Sequence, residues 1–164
     1  MRMQARGPAV SLRQREAADD SFIAQLASQA FDEYSVHPAG STLRMARTGV
    51  TWVACRDDKP LGFVVVRPGS AGPAHAELCA IAVDEQARGL GVGTALLAKV
   101  ERVLSLAGFS EITIHTAQAN LSALELFLKH GFRVERRLPR FYRGVFDACA
   151  LRKRIGASSG KSRT

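Results

Sequence analysis

The sequence predicts an α/β domain, and three observations support that fold class. An apolar run, Leu78 to Val83, precedes a glycine-rich stretch and then a segment with apolar residues at helical spacing, so strand, loop and helix follow one another. Strand-like and helix-like segments follow along the chain in the order β-α-α-β-β-β-α-β-α-β-β. The 164 residues suit a single domain, which buries roughly 70% of the surface that the unfolded chain exposes.

The first half of the chain begins with residues 1–7, which we expect to form a flexible tail. Alternating apolar residues then indicate strands, and apolar residues at helical spacing behind Asp19, Asp20 and Ser21 indicate a capped helix. The predicted elements are a strand near Ala9 to Gln14, a helix that carries residues 22–30, a short helix from Ser41 to Arg47, and strands from Thr51 to Arg56 and from Leu61 to Arg67. A four-residue turn, Asp57 to Pro60, joins the last two strands as a hairpin.

The second half of the chain repeats the alternation of strands and helices, and glycines mark the helix ends. Its predicted elements are a strand from His75 to Val83, a helix from about Gly91 to Ala107, a strand from Glu111 to Thr116, a helix from Leu121 to His130, and a strand pair, Arg133 to Arg137 and Ala148 to Arg154. A long loop, Leu138 to Asp147, joins the last pair. We expect one domain, residues 8–155, and a disordered polar tail, residues 156–164.

Composition limits the classes of partner. The 23 basic and 15 acidic residues leave a net charge of +8, but aromatic residues are not interleaved with the basic ones as a nucleic-acid platform requires. We therefore do not expect nucleic acid as the main partner. No stretch approaches the roughly 18 apolar residues of a membrane span, so no membrane association is expected.

Three cysteines, Cys55, Cys79 and Cys149, lie far apart in separate apolar stretches. An odd number of scattered cysteines favours reduced thiols and a cytoplasmic location over a disulfide framework or a metal site. The expected oligomeric state is a monomer or a homodimer.

The glycine-rich stretch, Arg88 to Thr94, predicts an anion site. Glycines at positions 89, 91 and 93 lack β-carbons, so a ligand can approach several backbone N–H groups at the start of a helix. The spacing differs from the G-x-G-x-x-G of dinucleotide-binding folds, and the lysine of a nucleotide P-loop is missing. A tight strand-to-helix turn without a ligand is the alternative.

Two motifs give this stretch a family context. Residues 88–93 resemble the R/Q-x-x-G-x-G/A pyrophosphate loop of the GNAT superfamily of acetyl-CoA-dependent N-acetyltransferases, and residues 120–132 resemble its second conserved helix. The resemblance covers about residues 10–155 and implies the GNAT fold, in which a mixed, mostly antiparallel sheet with about four flanking helices is splayed between strands 4 and 5. It implies acetyl-CoA, without a metal, held by Ile81, Ala82, Val83, Arg88, Gly89, Leu90, Gly91, Val92, Gly93, Thr94, Asn120, Ala123 and Phe127.

Transfer of an acetyl group to an amine requires removal of the ammonium proton. The candidate bases are Glu77 on the fourth strand, whose face residues 79, 81 and 83 share by period two, and His115 on the fifth. His75 is the substitute if the register differs by two residues. The histidine position matches one used by the enzymes that acetylate protein N-terminal amines.

One position departs from the family pattern. The second conserved helix normally offers a tyrosine as general acid near the thioester sulfur, and Phe127 stands there. Phenylalanine donates no proton, so either the thiolate leaves unassisted or another donor, such as Tyr142, serves. Packing against the cofactor is the structural alternative for Phe127.

Aromatic residues suggest an acceptor class. Phe141 and Tyr142 resemble the aromatic pair of the N-terminal-amine acetyltransferases, and Phe31 and Tyr34 occupy the other loop that frames a substrate peptide in that branch. We add Cys79 to these candidate substrate contacts. The resemblance therefore implies a protein or peptide amine, N-terminal or lysine. The alternatives are a small-molecule amine, or a module that binds acyl-CoA without catalysis.

Overall fold

The computed structural model describes residues 9–156, so the predicted tails lie outside the described residues apart from Gly156. Within this range, strands and helices alternate in the predicted order. They are β1 Ser11–Gln14, α1 Asp20–Phe31, α2 Pro38–Thr48, β2 Val50–Arg56, β3 Lys59–Pro68, β4 His75–Val83, α3 Val92–Leu106, β5 Glu111–Ala117, α4 Leu121–Lys129, β6 Arg133–Tyr142 and β7 Phe146–Arg154. None of the helices among residues 9–156 has the length and apolarity needed to cross a bilayer.

The strands form one sheet in the order β1-β2-β3-β4-β5-β7-β6, in which only the β4–β5 pair is parallel. Helices cover both faces of this sheet. Leu96, Val100 and Phe127 of α3 and α4 pack in one buried cluster with side chains of the sheet. Ile23 and Leu26 of α1 pack in a second cluster that also receives α2. The sheet is therefore the middle layer of three, as the GNAT fold implies.

The parallel pair is short, which creates the predicted splay. β4 and β5 pair only from His75 and Glu111 to Glu77 and Thr113. The rest of β4 stays paired with β3 but leaves β5, so one edge of residues 78–83 is open. Backbone groups on an open edge are available to a ligand that lies along the strand.

A β-bulge at Cys79 changes which side chains share a face. Val65 pairs with Ala80 and Val66 pairs with Leu78, so Cys79 is the extra residue of β4. The sequence interpretation, that residues 77, 79, 81 and 83 share one face, is therefore wrong. Ile81 and Val83 pack against the cluster under α3 and α4, whereas Cys79 packs against the cluster under α1 and α2. Strict alternation fails because a bulge adds one residue to one strand.

The turn between β2 and β3 has two residues and not the predicted four. Asp57 and Asp58 both have positive φ, 48° and 61°, as in the tight hairpin turns that match strand twist. Aspartate tolerates this region better than most residues. Pro60 belongs to β3, where it stands opposite Cys55 beside a register shift that lessens the cost of its missing N–H.

The predicted loop from residue 138 to residue 147 is also wrong. β6 continues to Tyr142, and a short turn, residues 143–145, returns the chain into β7 at Phe146. The register shift between Leu138 and Tyr142 accommodates Pro139, and Arg140 there adopts a φ of 51° and donates its N–H to the Asp147 carboxylate at 3.0 Å. The proline and the arginines made this strand look like a loop, although β6 is an edge strand that tolerates both.

An ion pair ties β1 to the start of α1. Arg13 donates from both terminal nitrogens to the two carboxylate oxygens of Asp19 at 2.7 and 2.8 Å, and the Glu16 N–H donates to the same carboxylate at 2.7 Å. The Asp19 side chain is almost fully buried. The hydrogen bond from Arg13 lowers the pKa of Asp19 below its ordinary value, and burial opposes that shift.

Candidate functional site

Two cavities meet where β4 leaves β5. The larger, about 730 Å³, lies between the glycine-rich stretch, the end of β4 and the first turns of α4. The smaller, about 260 Å³, lies between α2, β5 and the base of α4. Both are lined by Phe31, Tyr34, Ile81, Asn120 and Ala123. A ligand that fills the larger cavity therefore reaches the smaller one through the splay.

The glycine-rich stretch offers a row of free donors to the larger cavity. Gly89 and Gly91 both have a φ of 79°, and Gly91 is the residue before the first turn of α3. Among the described residues, no protein acceptor receives a hydrogen bond from the amides of residues 89–94. Several free N–H groups at the start of a 15-residue helix form a site for a negatively charged group. Arg88 and Lys129 add positive side chains to the same wall.

The third glycine has a different role. A β-carbon at Gly93 would lie 3.2 Å from Cδ2 of Leu126, so glycine at this position allows α3 and α4 to pack closely. That contact holds α4 against α3. The Leu90 side chain is half exposed and is not part of the cavity wall. Leu90 therefore contributes only its backbone amide to the anion site.

Asn120 and Phe127 shape the point where the cavities join. The Asn120 carboxamide accepts the Ala123 N–H at 3.3 Å and so caps α4. Phe127, one turn further along α4, is 1% exposed and packs edge-to-face on Phe132 with ring centroids 5.5 Å apart. Its ring lines the smaller cavity.

The site suits a long, anionic ligand that contains amides, because it combines an open strand edge, free amides at a helix start and a continuous cleft. Residues 15–132 match the model of the Acetyltransferase (GNAT) family. The chain belongs to the GNAT family. It is therefore an acetyl-CoA-dependent acetyltransferase, and the alternative of a binding module without catalysis is set aside.

Similar proteins agree with this assignment. An uncharacterized N-acetyltransferase of Methanocaldococcus jannaschii is 29% identical over 110 residues, which are 66% of this chain and 69% of that protein. A structure from Salmonella typhimurium with its cofactor acetyl-CoA superposes with a TM-score of 0.77 at 14% identity, over 95% of this chain and 99% of that one. Ribosomal-protein-alanine N-acetyltransferase from Brucella melitensis has a TM-score of 0.77 at 17% identity, over 88% and 99%. At these identities the two structures support the fold alone.

Acetyl-CoA fits this GNAT chain by the chemistry of its own residues. The amides of residues 89–94 suit a diphosphate, and the open edge of β4 at Ile81, Ala82 and Val83 suits the amides of the pantetheine arm. Within residues 9–156, no group of three His, Cys, Asp or Glu side chains is placed to hold a metal ion.

Glu77 and His115 lie on neighbouring strands at the start of the splay. Glu77 pairs with Thr113 in the last pair before the splay, and His115 follows two residues later on the same face of β5. His115 lines the smaller cavity. Glu77 does not, and its carboxylate accepts from Arg67 at 3.1 Å.

His75 has a different position from the substitute base that the sequence suggests. Its Nε2 lies 2.7 Å from Oγ1 of Thr113, and its Nδ1 accepts the Ala71 N–H at 3.4 Å. The imidazole thus fastens the loop before β4 to β5. It lines neither of the two cavities.

Three of the four predicted aromatic residues, Tyr34, Phe141 and Tyr142, form one cluster beside the smaller cavity, and Phe31 lines both cavities. Tyr142 lies between Tyr34, 5.8 Å away, and Phe141, 4.9 Å away. Phe141 also packs on the ring of His115 at 5.2 Å. Phe146 completes the cluster, edge-to-face on Tyr34 at 5.3 Å. Sequence reasoning missed Phe146 because its strand was taken for a loop.

Two ionisable side chains in the smaller cavity stay neutral at physiological pH. Burial raises the pKa of Tyr142 to about 12 and that of the Cys79 thiol to about 11. Cys79 is therefore a thiol and not a thiolate nucleophile.

Other wall residues had no signal in the sequence. Ser41, Thr42 and Met45 line the smaller cavity. They lie within the helix that the sequence predicts, but only the packing of α2 over the sheet brings them to the cavity. The His130 Nε2 lies 3.0 Å from Oγ1 of Thr94, which connects the end of α4 to the glycine-rich stretch.

Proposed function

We propose that the chain acetylates the primary amine of a protein or peptide, foremost an N-terminal amine. The observation that carries the proposal is the character of the smaller cavity. Among the described residues, no acidic, lysine or arginine side chain lines it, and its ionisable members are His115, Cys79 and two tyrosines. A small polar metabolite would need charged partners for its own charged groups in such a site. A peptide brings an amine and an uncharged backbone, which Ser41 and Thr42 are able to hydrogen-bond.

The architecture is compatible with this acceptor. The Brucella melitensis neighbour is named for acetylation of ribosomal-protein alanine, which is a protein acceptor. Its 17% identity supports the shared fold. The aromatic cluster of Phe141, Tyr142 and Tyr34 supports the proposal independently, because Tyr34 and Tyr142 line the smaller cavity and the exposed Phe141 continues the cluster at the surface.

In the proposed reaction, acetyl-CoA supplies an activated acetyl carbon at the splay. The amides of residues 89–94 hold the diphosphate, and the edge of β4 from Ile81 to Val83 holds the pantetheine arm. The amine enters through the smaller cavity and loses its proton to His115, directly or through a water molecule between His115 and Glu77 that passes the proton on to solvent. A C–N bond forms at the acetyl carbon, the nitrogen loses its second proton to solvent, and the C–S bond breaks to release the thiolate.

Tyr142 is the proposed hydrogen-bond donor to the departing thiolate. Its pKa of about 12 keeps the hydroxyl protonated. An alkyl thiol has a pKa near 8.5, so full proton transfer from Tyr142 is uphill by about 5 kcal/mol. We therefore propose that Tyr142 stabilises the thiolate by a hydrogen bond and that solvent supplies the final proton. Phe127 contributes packing and no proton.

The rival acceptor is an apolar small amine, which the aromatic walls of the smaller cavity also favour. A screen distinguishes the two: CoA release is measured with a thiol reagent for peptides that have a free α-amine, for the same peptides with a blocked α-amine and an internal lysine, and for arylalkylamines. Mass spectrometry then locates the acetyl group. The proposal requires that peptides with a free α-amine give the highest kcat/KM, and turnover restricted to arylalkylamines would overturn it. A cytoplasmic location stays a prediction from the free cysteines.

A further inference from the structure

Most of the net charge of this protein is concentrated on one hairpin. The β6–β7 hairpin, residues 133–154, contains eight basic and two acidic residues, which is +6 of the net +8 of the whole chain. The same hairpin carries Phe141 and Tyr142 of the aromatic cluster. A basic surface therefore adjoins the entrance of the acceptor cavity.

Strand pairing places part of this charge on the same face as His115. His115 pairs with Ala150, which pairs with Arg136 on β6. Residues that pair directly across neighbouring strands point to the same face of a sheet. In the adjacent row, Thr113 pairs with Arg152, and Arg152 pairs with Arg133. Arg133 and Arg136 thus extend from the proposed base to the edge of the sheet.

These arginines are available to a partner. Arg137, Arg152 and Lys153 have carboxylate partners at 2.6–3.2 Å. Within residues 9–156, Arg133, Arg136, Arg140 and Arg143 form no ion pair and are exposed. Unpaired guanidinium groups suit carboxylates, which they bind through two parallel hydrogen bonds.

Distances define the part of an acceptor that reaches them. Neighbouring strands are about 4.8 Å apart, so Arg136 lies about 10 Å from His115 between Cα atoms. An extended peptide advances about 3.3 Å per residue. A peptide whose amine is at His115 and whose chain runs outward over β7 therefore brings its second to fourth residues to Arg136 and Arg133.

We propose that Arg136 and Arg133 select acceptors with acidic side chains at the second to fourth positions after the acetylated amine. This inference rests on the proposed function, because it assumes a peptide acceptor. A peptide is favoured over nucleic acid as the occupant because the basic surface adjoins the acceptor cavity, where Phe141 of this hairpin packs on His115 and Tyr142.

The test compares matched peptides that share the first residue and the length but carry glutamate, glutamine or lysine at positions two to four. The glutamate peptide should have a kcat/KM about fivefold to tenfold above that of the glutamine peptide, with the difference in KM, and the lysine peptide should be the poorest. Raising the ionic strength should reduce the difference, because exposed charges are screened.

Variants assign the preference to the hairpin. Arg136→Gln should abolish most of the preference, and Arg136→Glu should invert it towards the lysine peptide. Arg102→Gln, on the exposed side of α3, removes the same charge from a distant surface and should leave the preference unchanged. Thermal melting of each variant confirms that it is folded, and Arg136→Lys should recover part of the preference, since it restores the charge but not the bidentate geometry.

The outcomes separate two failures. Acetylation of all three peptides at equal kcat/KM would overturn the acidic preference and leave the proposed function intact. If a small amine is acetylated and none of the peptides is, the proposed function itself is overturned. A third outcome is that the protein binds polyuridylate with submicromolar affinity, that Arg136→Gln weakens this binding, and that no peptide preference is seen. This outcome would assign the surface to nucleic acid and so contradict the inference.

Discussion

Replacement of Gly91 by valine tests whether the glycine-rich stretch holds the diphosphate of acetyl-CoA. Gly91 has a φ of 79° and lines the larger cavity, and no protein atom lies within 4 Å of a β-carbon built there. The valine side chain therefore projects into the space beside the free amides of residues 89–94. Loss of one charge-assisted hydrogen bond costs about 1.5–3 kcal/mol. The dissociation constant should accordingly rise by about tenfold to hundredfold.

Backbone strain adds a second effect that needs a control. A β-branched residue at positive φ costs about 1–3 kcal/mol of folding stability, a fall in melting temperature of about 2–4 °C per kcal/mol for a chain of this size. Gly108→Val is the matched variant. Gly108 has a φ of 92° and equally open surroundings, but it follows the far end of α3. Both variants should lose similar stability.

Calorimetric titration with acetyl-CoA separates the two effects. Only Gly91→Val should bind more weakly, whereas Gly108→Val should bind like the unmodified chain. An unchanged affinity in folded Gly91→Val would refute the assignment of the loop. An equal loss of affinity in both variants would attribute the effect to strain alone.

Three further variants test the acid, the packing at the thioester and the ion pair. Tyr142→Phe should lower kcat by about tenfold or less at neutral pH if the hydroxyl only hydrogen-bonds the thiolate, and a loss at the upper end of the range for general acids, about 10⁴-fold, would contradict this. Phe127→Tyr should raise kcat modestly if proton donation limits the rate, or leave it unchanged if deprotonation of the amine limits it, whereas a large loss of acetyl-CoA affinity would contradict the position of α4. Asp19→Asn should cost about 2 kcal/mol of unfolding free energy at pH 7, measured in urea, because it leaves Arg13 without its partner, a cost reduced by the partial exposure of Arg13. The pKa of Asp19 is lower in the folded state than in the unfolded state, where it is near 3.9. The ion pair therefore stabilises the fold fully above that unfolded value, and this stabilisation is lost as the pH falls through the lower folded pKa. An equal cost of Asp19→Asn at pH 7 and pH 2 would contradict that account.

The sequence predicted those elements that local patterns determine. β4 has the predicted bounds, His75–Val83, because an apolar run before a glycine-rich stretch is unambiguous. Gly108 and Gly131 have the positive φ expected of the glycines that mark helix ends. The family resemblance, confirmed by the match over residues 15–132, added the splay, which no single strand encodes.

The parts that failed depend on tertiary context. The bulge at Cys79 arises from the pairing of β4 with β3. The alternation of residues within β4 alone does not show how that strand pairs with its neighbour. β6 contains Pro139 and four arginines, which locally resemble a loop, and only its position at the edge of the sheet permits them. The roles of Glu77 and His115 stay predictions, because neither residue type nor position alone establishes proton transfer.

The central claim is that Glu77 and His115 act together as the base at the splay. The decisive measurement is kcat for CoA release by Glu77→Gln, His115→Ala and the double variant, across pH and at saturating acetyl-CoA. Each single substitution should lower kcat by about 10² to 10⁴-fold and remove the acidic limb of the pH profile, with acetyl-CoA affinity retained. The double variant should be scarcely slower than the slower single one, since both residues serve one proton. Additive losses would assign the two residues separate roles, and unaltered rates in both single variants would contradict a base at this position.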